Sequence, residues 1–432
     1  MMGVMDLADD TPRPDWLGPW LKGFPALQPP VALADVARRG WTLHELPTPV
    51  AVVRQQALAH NIAWMQDFAA RHGVQLAPHG KTTMSPQLFR RQLDAGAWGL
   101  TFANVHQLRV GLAAGARRAL IANQLIAAAE LAELLDLRRR HPGLELAFFV
   151  DSQAQLDLIA AHWQQLGSGE ARIDVLVELG TSRCGVREHA PAMALARALK
   201  AHPALRLRGI GFYEGLQIQG QSEPDRALMR QWQGRLQALL DAIEAEGLLD
   251  ADARPLWLSG GGSAAFDLVA PVLAGGIRRL GLLRSGCYIC HDHGHYGRYM
   301  QTMDERMGTP LSAPSLQAAL EVWTQVLSCP EPGLALLNAG RRDLSFDAGW
   351  PPPVWHLQGS EKVKAPVGWR VTGLNDQHAY LRWDPAVCQG PVVGERVALG
   401  PSHPCTTFDK WAWMAIVDAH DRVVDALTTQ FS

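Results

Sequence analysis

Three short segments of this 432-residue chain carry residue types with usable chemistry. The first is LAPHGKTTMSP, in which Lys81 follows an apolar run, Val74–Pro78. An amine held at a strand end and partly desolvated is a nucleophile that forms Schiff bases with carbonyl compounds, although most loop lysines are simply solvated. The second is SGGGSAAF, Ser259 to Phe266. Its glycines permit close backbone approach, and the start of a helix offers unpaired N–H groups, a combination suited to phosphate or to a plain tight turn. RSGCY, Arg284 to Tyr288, is expected on a later strand that could complete the same site. The third is GPSHPCTTF, where His403 and Cys405 are two apart. Pro404 biases His403 toward extended backbone, which would put both side chains on one face. Imidazole plus thiolate suits zinc and disfavours magnesium or calcium, and two protein ligands leave positions open for water or substrate.

Other segments carry weaker signals. HGKTT has the end of a P-loop, but Gln75 stands where that motif needs glycine. Gly260, Gly262 and Ala265 fit a loose dinucleotide fingerprint without the acidic residue about 20 positions on. CHDHGHY would set His291, His293 and His295 on one face if it were a strand, which could bind a metal; a polar strand end is the alternative.

The elements that must hold these residues follow from the periodicity. From about residue 74, eight short apolar runs alternate with Ala/Leu/Arg-rich stretches of helical length, ending near Tyr288. The runs begin at Val74, Trp98, Ala119, Leu144, Ile173, Leu205, Leu256 and Leu280. This predicts a (β/α)8, TIM-like α/β barrel, whose usual size is about 250 residues; a doubly wound sheet would read similarly. Beyond about residue 306 Pro, Gly and Trp become frequent and short alternating runs appear, predicting a mostly antiparallel β domain. We therefore expect an N-terminal extension over 1–45 packed on the β domain, a barrel over 46–305 and the β domain over 306–432. Forty Lys plus Arg against 42 Asp plus Glu point to neither nucleic acid nor a membrane surface as partner. No apolar run is long enough to span a bilayer, and six scattered cysteines read as free thiols of a cytoplasmic protein.

Taken in order, PHGKTTMSPQLFRRQLDAGAWGLTFANVHQLRVGLAAG, VELGTSRCGV, GFYEG, LSGGGS, LRSGCYICHD, NAGRRDLSFDAGWP, NDQH and PSHPCTT resemble the D-serine dehydratase / D-threonine aldolase group of pyridoxal-phosphate enzymes, with the alanine racemase-type barrel of fold type III. The resemblance covers about Leu46 to the C-terminus. It implies that Lys81 holds the cofactor covalently, that Arg183 lies near its phenolic oxygen and Tyr213 near its pyridine nitrogen. It implies a phosphate cup of Gly261, Gly262 and Ser263 with Ser285, Gly286 and Cys287 nearby, and a metal pair of His403 and Cys405. Asn338–Gly340 would begin the approach to the site from the β domain. His378 is preceded by Gln377, where the family usually has an acidic residue.

Within that group the aldolases typically carry His-x-Asp with manganese and the dehydratases His-x-Cys with zinc, so Cys405 favours β-elimination. The expected activity is conversion of a D-β-hydroxy amino acid such as D-serine to a 2-keto acid and ammonia, with Lys81 taking the α-proton and zinc assisting departure of the β-hydroxyl. Retro-aldol cleavage to glycine and an aldehyde, or racemisation, would use the same residues. A pyridoxal-phosphate carrier would lack the β domain, and a metal-dependent hydrolase would rely on the histidine cluster instead. The resemblance also implies a head-to-tail homodimer in which one subunit's β domain covers its partner's barrel mouth.

Overall fold

The computed structural model describes residues 16–165, 172–253, 255–275, 278–310, 312–313, 315–359 and 361–431; the first fifteen residues of the expected extension lie outside the described residues. Eight parallel strands form one sheet: Gln75–Leu76, Leu100–Phe102, Arg118–Gln124, Glu145–Val150, Ile173–Leu179, Leu205–Phe212, Leu256–Gly260 and Arg279–Leu283. We number them one to eight. Each pairs with its successor from two onward, and eight pairs back onto one through Leu282 and Gln75. The remaining gap is bridged by a parallel pairing of His79 with Thr101, and the Thr101 amide donates to the Pro78 carbonyl at 2.8 Å. The sheet therefore closes into the expected alanine racemase-type barrel.

The barrel strands are buried on both faces, which is why they read as near-continuous apolar runs. Inward-facing Leu120, Ala147, Phe149, Leu176, Trp257 and Leu282 fill the interior, so the barrel has a packed floor. Helices follow the strands in turn. Ser222–Ala245, the longest, buries Met229, Trp232, Leu236, Leu239, Leu240 and Ile243 at helical spacing. Among the described residues no helix is long and apolar enough to cross a membrane.

RSGCY does not continue the eighth strand as expected. The strand ends at Leu283, and Cys287–Ile289 is a one-turn 3-10 helix. Its partner, the seventh strand, ends at Gly260, and the Arg284 amide takes the Gly260 carbonyl at 3.1 Å as the last rung. Beyond it the chain has no strand edge to follow.

The C-terminal half forms an antiparallel sheet ordered Glu361–Lys364, Pro353–Gln358, Arg396–Leu399, Leu320–Glu331, Leu334–Leu337, Ala379–Arg382, Arg370–Leu374. Val50–Arg54 joins this sheet, although it precedes the barrel in sequence. It pairs antiparallel with Leu320–Glu331 and parallel with Trp413–Val417. From the extension, Leu17, Phe24, Val36 and Trp41 pack against Trp323 and Trp413 in a separate core.

One buried ion pair ties the helix that follows the glycine loop, Phe266–Leu273, to His295–Met307. Arg306 donates from Nε and Nη2 to both Asp267 oxygens at 2.6 and 2.8 Å, with both side chains at least 95% buried. Asp225 lies 3.8 Å from Arg306 Nη1 and keeps part of the charge compensated, so Asp267→Ala, which removes two short hydrogen bonds to a buried guanidinium, should lower unfolding free energy by about 2–3 kcal/mol. Urea denaturation of the two proteins measures the difference.

Candidate active site

Ten of the eleven residues singled out from the sequence line one cavity of about 400 Å³ at the carboxyl end of the barrel strands. They are Lys81, Arg183, Tyr213, Gly261, Gly262, Ser263, Gly286, Cys287, His403 and Cys405. Ser285 is the exception. It is fully buried behind the wall, and its hydroxyl donates to the Gly262 carbonyl at 2.7 Å, bracing the glycine loop.

Lys81 sits in the middle of a one-turn 3-10 element, Gly80–Thr82, just past strand one. The turn is held through His79, whose amide donates to the Arg284 carbonyl at 3.1 Å. Gly286 lets strand eight's exit pass against this turn, since a Cβ there would fall 2.6 Å from both the His79 carbonyl and Thr82 Oγ1. The Lys81 side chain is exposed, not partly desolvated as expected, because the turn stands at the cavity mouth above the packed floor.

The glycine loop has its own anchor, which the sequence reading missed. Glu214 is fully buried and accepts the amides of Gly262 at 2.8 Å and Gly261 at 3.3 Å. Burial pushes its carboxyl upward, and the two amides act against that shift. Gly261 has φ +89, the left-handed region that glycine tolerates. Replacing Glu214 by alanine leaves two amides without acceptors, worth about 1–3 kcal/mol each when buried. A looser loop and a cofactor Kd raised at least about tenfold are expected, measured by fluorescence titration with pyridoxal phosphate.

Glu214 occupies those two amides, and other amides nearby are left without a partner. The amides of Ser263, Ser285 and Gly286 make no hydrogen bond with any described residue. The Ser263 hydroxyl accepts the Cys287 amide at 3.2 Å. Under the cup, Arg284 is buried, donating to the Phe212 carbonyl at 2.7 Å and to Ser259 Oγ at 2.9 Å. Burial pushes it down to about 10 against the pull of Glu214 and Glu178, which leaves it charged at neutral pH. Beside the cup, Tyr213 is pushed up to about 12 by burial and by Glu214, so its phenol stays neutral. The Arg183 guanidinium lies 4.9 Å from the centre of the Tyr213 ring.

In the same cavity, His403 and Cys405 meet a third residue. A ring nitrogen of His403 and the sulfurs of Cys287 and Cys405 all lie within 4.8 Å of one another. The pair is not brought together by extended backbone as expected: Pro404 is helical (φ −62, ψ −42) and Cys405 opens the short helix Cys405–Phe408. Asp347, also missed, pairs with His403 Nδ1 at 2.7 Å and is itself held by Thr406 Oγ1 at 2.9 Å. Burial opposes charge on His403, but Cys405 and Asp347 outweigh it and hold the ring's affinity for a proton at about 9.

The histidine cluster has no such arrangement. His291 has φ +46 and His295 starts a helix, so the three do not share a strand face. Among the described residues the histidines form no metal-binding group. His378 is exposed and lies outside the cavity lining, as do Arg341 and Arg342; Arg342 faces Asp376 at 3.4 Å. Asn338 clamps backbone instead, donating to the Thr48 carbonyl and accepting the Gln325 amide.

Residues 53–288 match the alanine racemase N-terminal domain, and 319–417 match a putative serine dehydratase domain. The chain is 30% identical over 399 residues to D-threonine aldolase of Arthrobacter sp, covering 91% of this chain and 95% of that protein. The chain belongs to the fold-type III pyridoxal-phosphate enzymes. Within these fold-type III enzymes it is also 29% identical over 391 residues to D-threo-3-hydroxyaspartate dehydratase of Delftia sp. (strain HT23), covering 85% of this chain and 93% of that one. A solved cysteine-to-alanine variant of a D-threo-3-hydroxyaspartate dehydratase, described as being in the metal-free form, superposes with a TM-score of 0.71 at 25% identity over 91% of this chain and all of the other. The site fits the cofactor of fold type III: an amine, a cup in which the amides of Ser263 and Gly286 are unpaired among the described residues, and a cavity in the range that holds small cofactors.

Proposed function

We propose that this protein is a lyase that uses pyridoxal phosphate and a divalent metal, and that it converts D-β-hydroxy amino acids to 2-keto acids and ammonia by β-elimination. D-Serine and D-3-hydroxyaspartate are the first substrates to try. The observation that carries the reading is a single cavity lined by Lys81, the glycine loop and the His403–Cys405 pair.

In this reading Lys81 Nζ holds the cofactor and, once released, takes the proton from the substrate α-carbon. The amides of Ser263 and Gly286 would hold the phosphate, and the buried charge of Arg284 would favour an anion there. Tyr213, as a neutral phenol, would lie near the pyridine nitrogen and would not protonate it as a carboxylic acid would, and Arg183 would lie near the phenolic oxygen. His403 and Cys405 would hold the metal, and Asp347 would fix the imidazole with Nδ1 protonated, leaving Nε2 free. When bound, pyridoxal phosphate supplies a sink for electron density at the α-carbon, and a zinc or manganese ion supplies a Lewis acid at the β-oxygen. A thiolate favours zinc. The exposed position of Lys81 and Arg183 at the mouth supports a homodimer in which the partner closes the site, and six free cysteines support a cytoplasmic setting.

The D-threonine aldolase relative supports a second reading, retro-aldol cleavage to glycine and an aldehyde. Incubation with D- and L-serine, threonine and 3-hydroxyaspartate separates the two. Keto acid and ammonia in equal amounts from a D-substrate are expected. Glycine with an aldehyde selects the aldolase, and no turnover of any D-isomer removes both.

A further inference from the structure

We infer that Cys287 is a third protein ligand, so that the metal centre is a Cys2His site of Cys287, His403 and Cys405 that selects zinc. The inference deepens the proposed function and rests on its reading that His403 and Cys405 hold a metal.

The resemblance placed Cys287 beside the phosphate cup, and its backbone does belong there, with the amide on Ser263 Oγ at 3.2 Å. Its side chain turns the other way. The Cys287 and Cys405 sulfurs are 3.4 Å apart, although 118 residues separate them in sequence. Two thiolates about 2.3 Å from a tetrahedral zinc stand roughly 3.8 Å apart, so a shift of a few tenths of an ångström completes the geometry. The surroundings are those of a ligand set. Thr82 Oγ1 lies 3.5 Å from the Cys405 sulfur and 3.9 Å from the Cys287 sulfur, able to donate to a thiolate. Asp347 on His403 Nδ1 is the carboxylate that orients a metal-bound imidazole. Cys287 is 4% exposed and Cys405 only partly exposed, so the thiols are shielded from bulk water.

Three ligands change the chemistry available. A centre with two protein ligands is open at several positions and accommodates hard six-coordinate ions. A Cys2His set leaves one tetrahedral position, enough for a single substrate oxygen, and its two soft sulfurs disfavour manganese and magnesium. Because Cys287 also donates its amide to the cup, metal and phosphate would be registered to each other through one residue.

The test uses full-length protein loaded with pyridoxal phosphate and one equivalent of zinc. X-ray absorption at the zinc edge should count two sulfurs at about 2.3 Å in the wild type and one in Cys287→Ser. Competition against a chromogenic chelator should show zinc affinity in Cys287→Ser lower by more than the 10–100-fold that loss of an outer partner costs. Iodoacetamide labelling of the partly exposed Cys405 should slow when zinc is bound, while exposed Cys184 and Cys329 react in both states. One sulfur in the wild type with unchanged affinity in Cys287→Ser overturns the inference and leaves the His403–Cys405 pair standing. A wild type that takes up no stoichiometric zinc overturns that pair as well. If Cys287→Ser does not fold, the wild-type sulfur count decides alone.

Discussion

Lys81→Ala protein, incubated with pyridoxal phosphate and desalted, should show no visible absorption from covalently held cofactor and no turnover. Two losses combine. Lys81 Nζ is the amine at the mouth of the cavity that contains the glycine loop, so no other lysine lining that cavity can replace the attachment. The same amine is the proposed base for the α-proton, and loss of a positioned base alone costs about 10²–10⁴ in rate. A fall in kcat of at least about 10⁴-fold is therefore expected. Methylamine added to the variant should restore part of the rate without restoring attachment to the protein. A variant that keeps the visible band after desalting would place the attachment elsewhere and end the proposed function.

Removing the metal should have the second largest effect and a different signature. Protein dialysed against a strong chelator should keep its cofactor spectrum but lose β-elimination activity by about 10³-fold, the equivalent of roughly 4 kcal/mol of Lewis-acid assistance. The spectrum survives because the proposed attachment is through Lys81 Nζ, which is not one of the proposed metal ligands. Zinc should restore the rate. Full activity in metal-free protein would remove His403 and Cys405 from the reaction and leave Lys81 untouched. Asp347→Asn offers a graded version: with a weaker acceptor on Nδ1, zinc affinity should fall about 10–100-fold, read by the same chelator competition.

Much of this arrangement was legible before any coordinates. Strands five and six, IDVLVEL and LRLRGIGF, are buried on both faces and announce themselves by composition alone. RVAL and WMAIV, short apolar runs of the kind that predict strands beyond residue 306, are the strands Arg396–Leu399 and Trp413–Val417. Pro353–Gln358, Glu361–Lys364 and Val423–Thr428 escaped that reading. EKVK is a half-exposed edge hairpin strand stabilised by pairing with Trp355–Gln358, and its residues have no apolar period of their own. Glu214 and Asp347 escaped for another reason. An acidic residue in a loop looks solvated until the fold shows what it faces, and neither makes its key contact within its own segment.

The chain's local order thus determined the alternation of strand and helix, the lysine just past the first strand, the glycine turn after the seventh and the His-Pro-Cys segment. Those follow from side-chain periodicity and turn chemistry acting over a few residues. Tertiary structure alone decided that Glu214 would hold Gly261 and Gly262, that Ser285 would stand behind the wall, and that the Cys287 thiol would leave the cup for Cys405. Closing the barrel and laying the C-terminal sheet against it sets these distances across 23 to 118 residues of chain. No local preference carries information over that span, because the contact exists only once both segments are fixed by the cores beneath them.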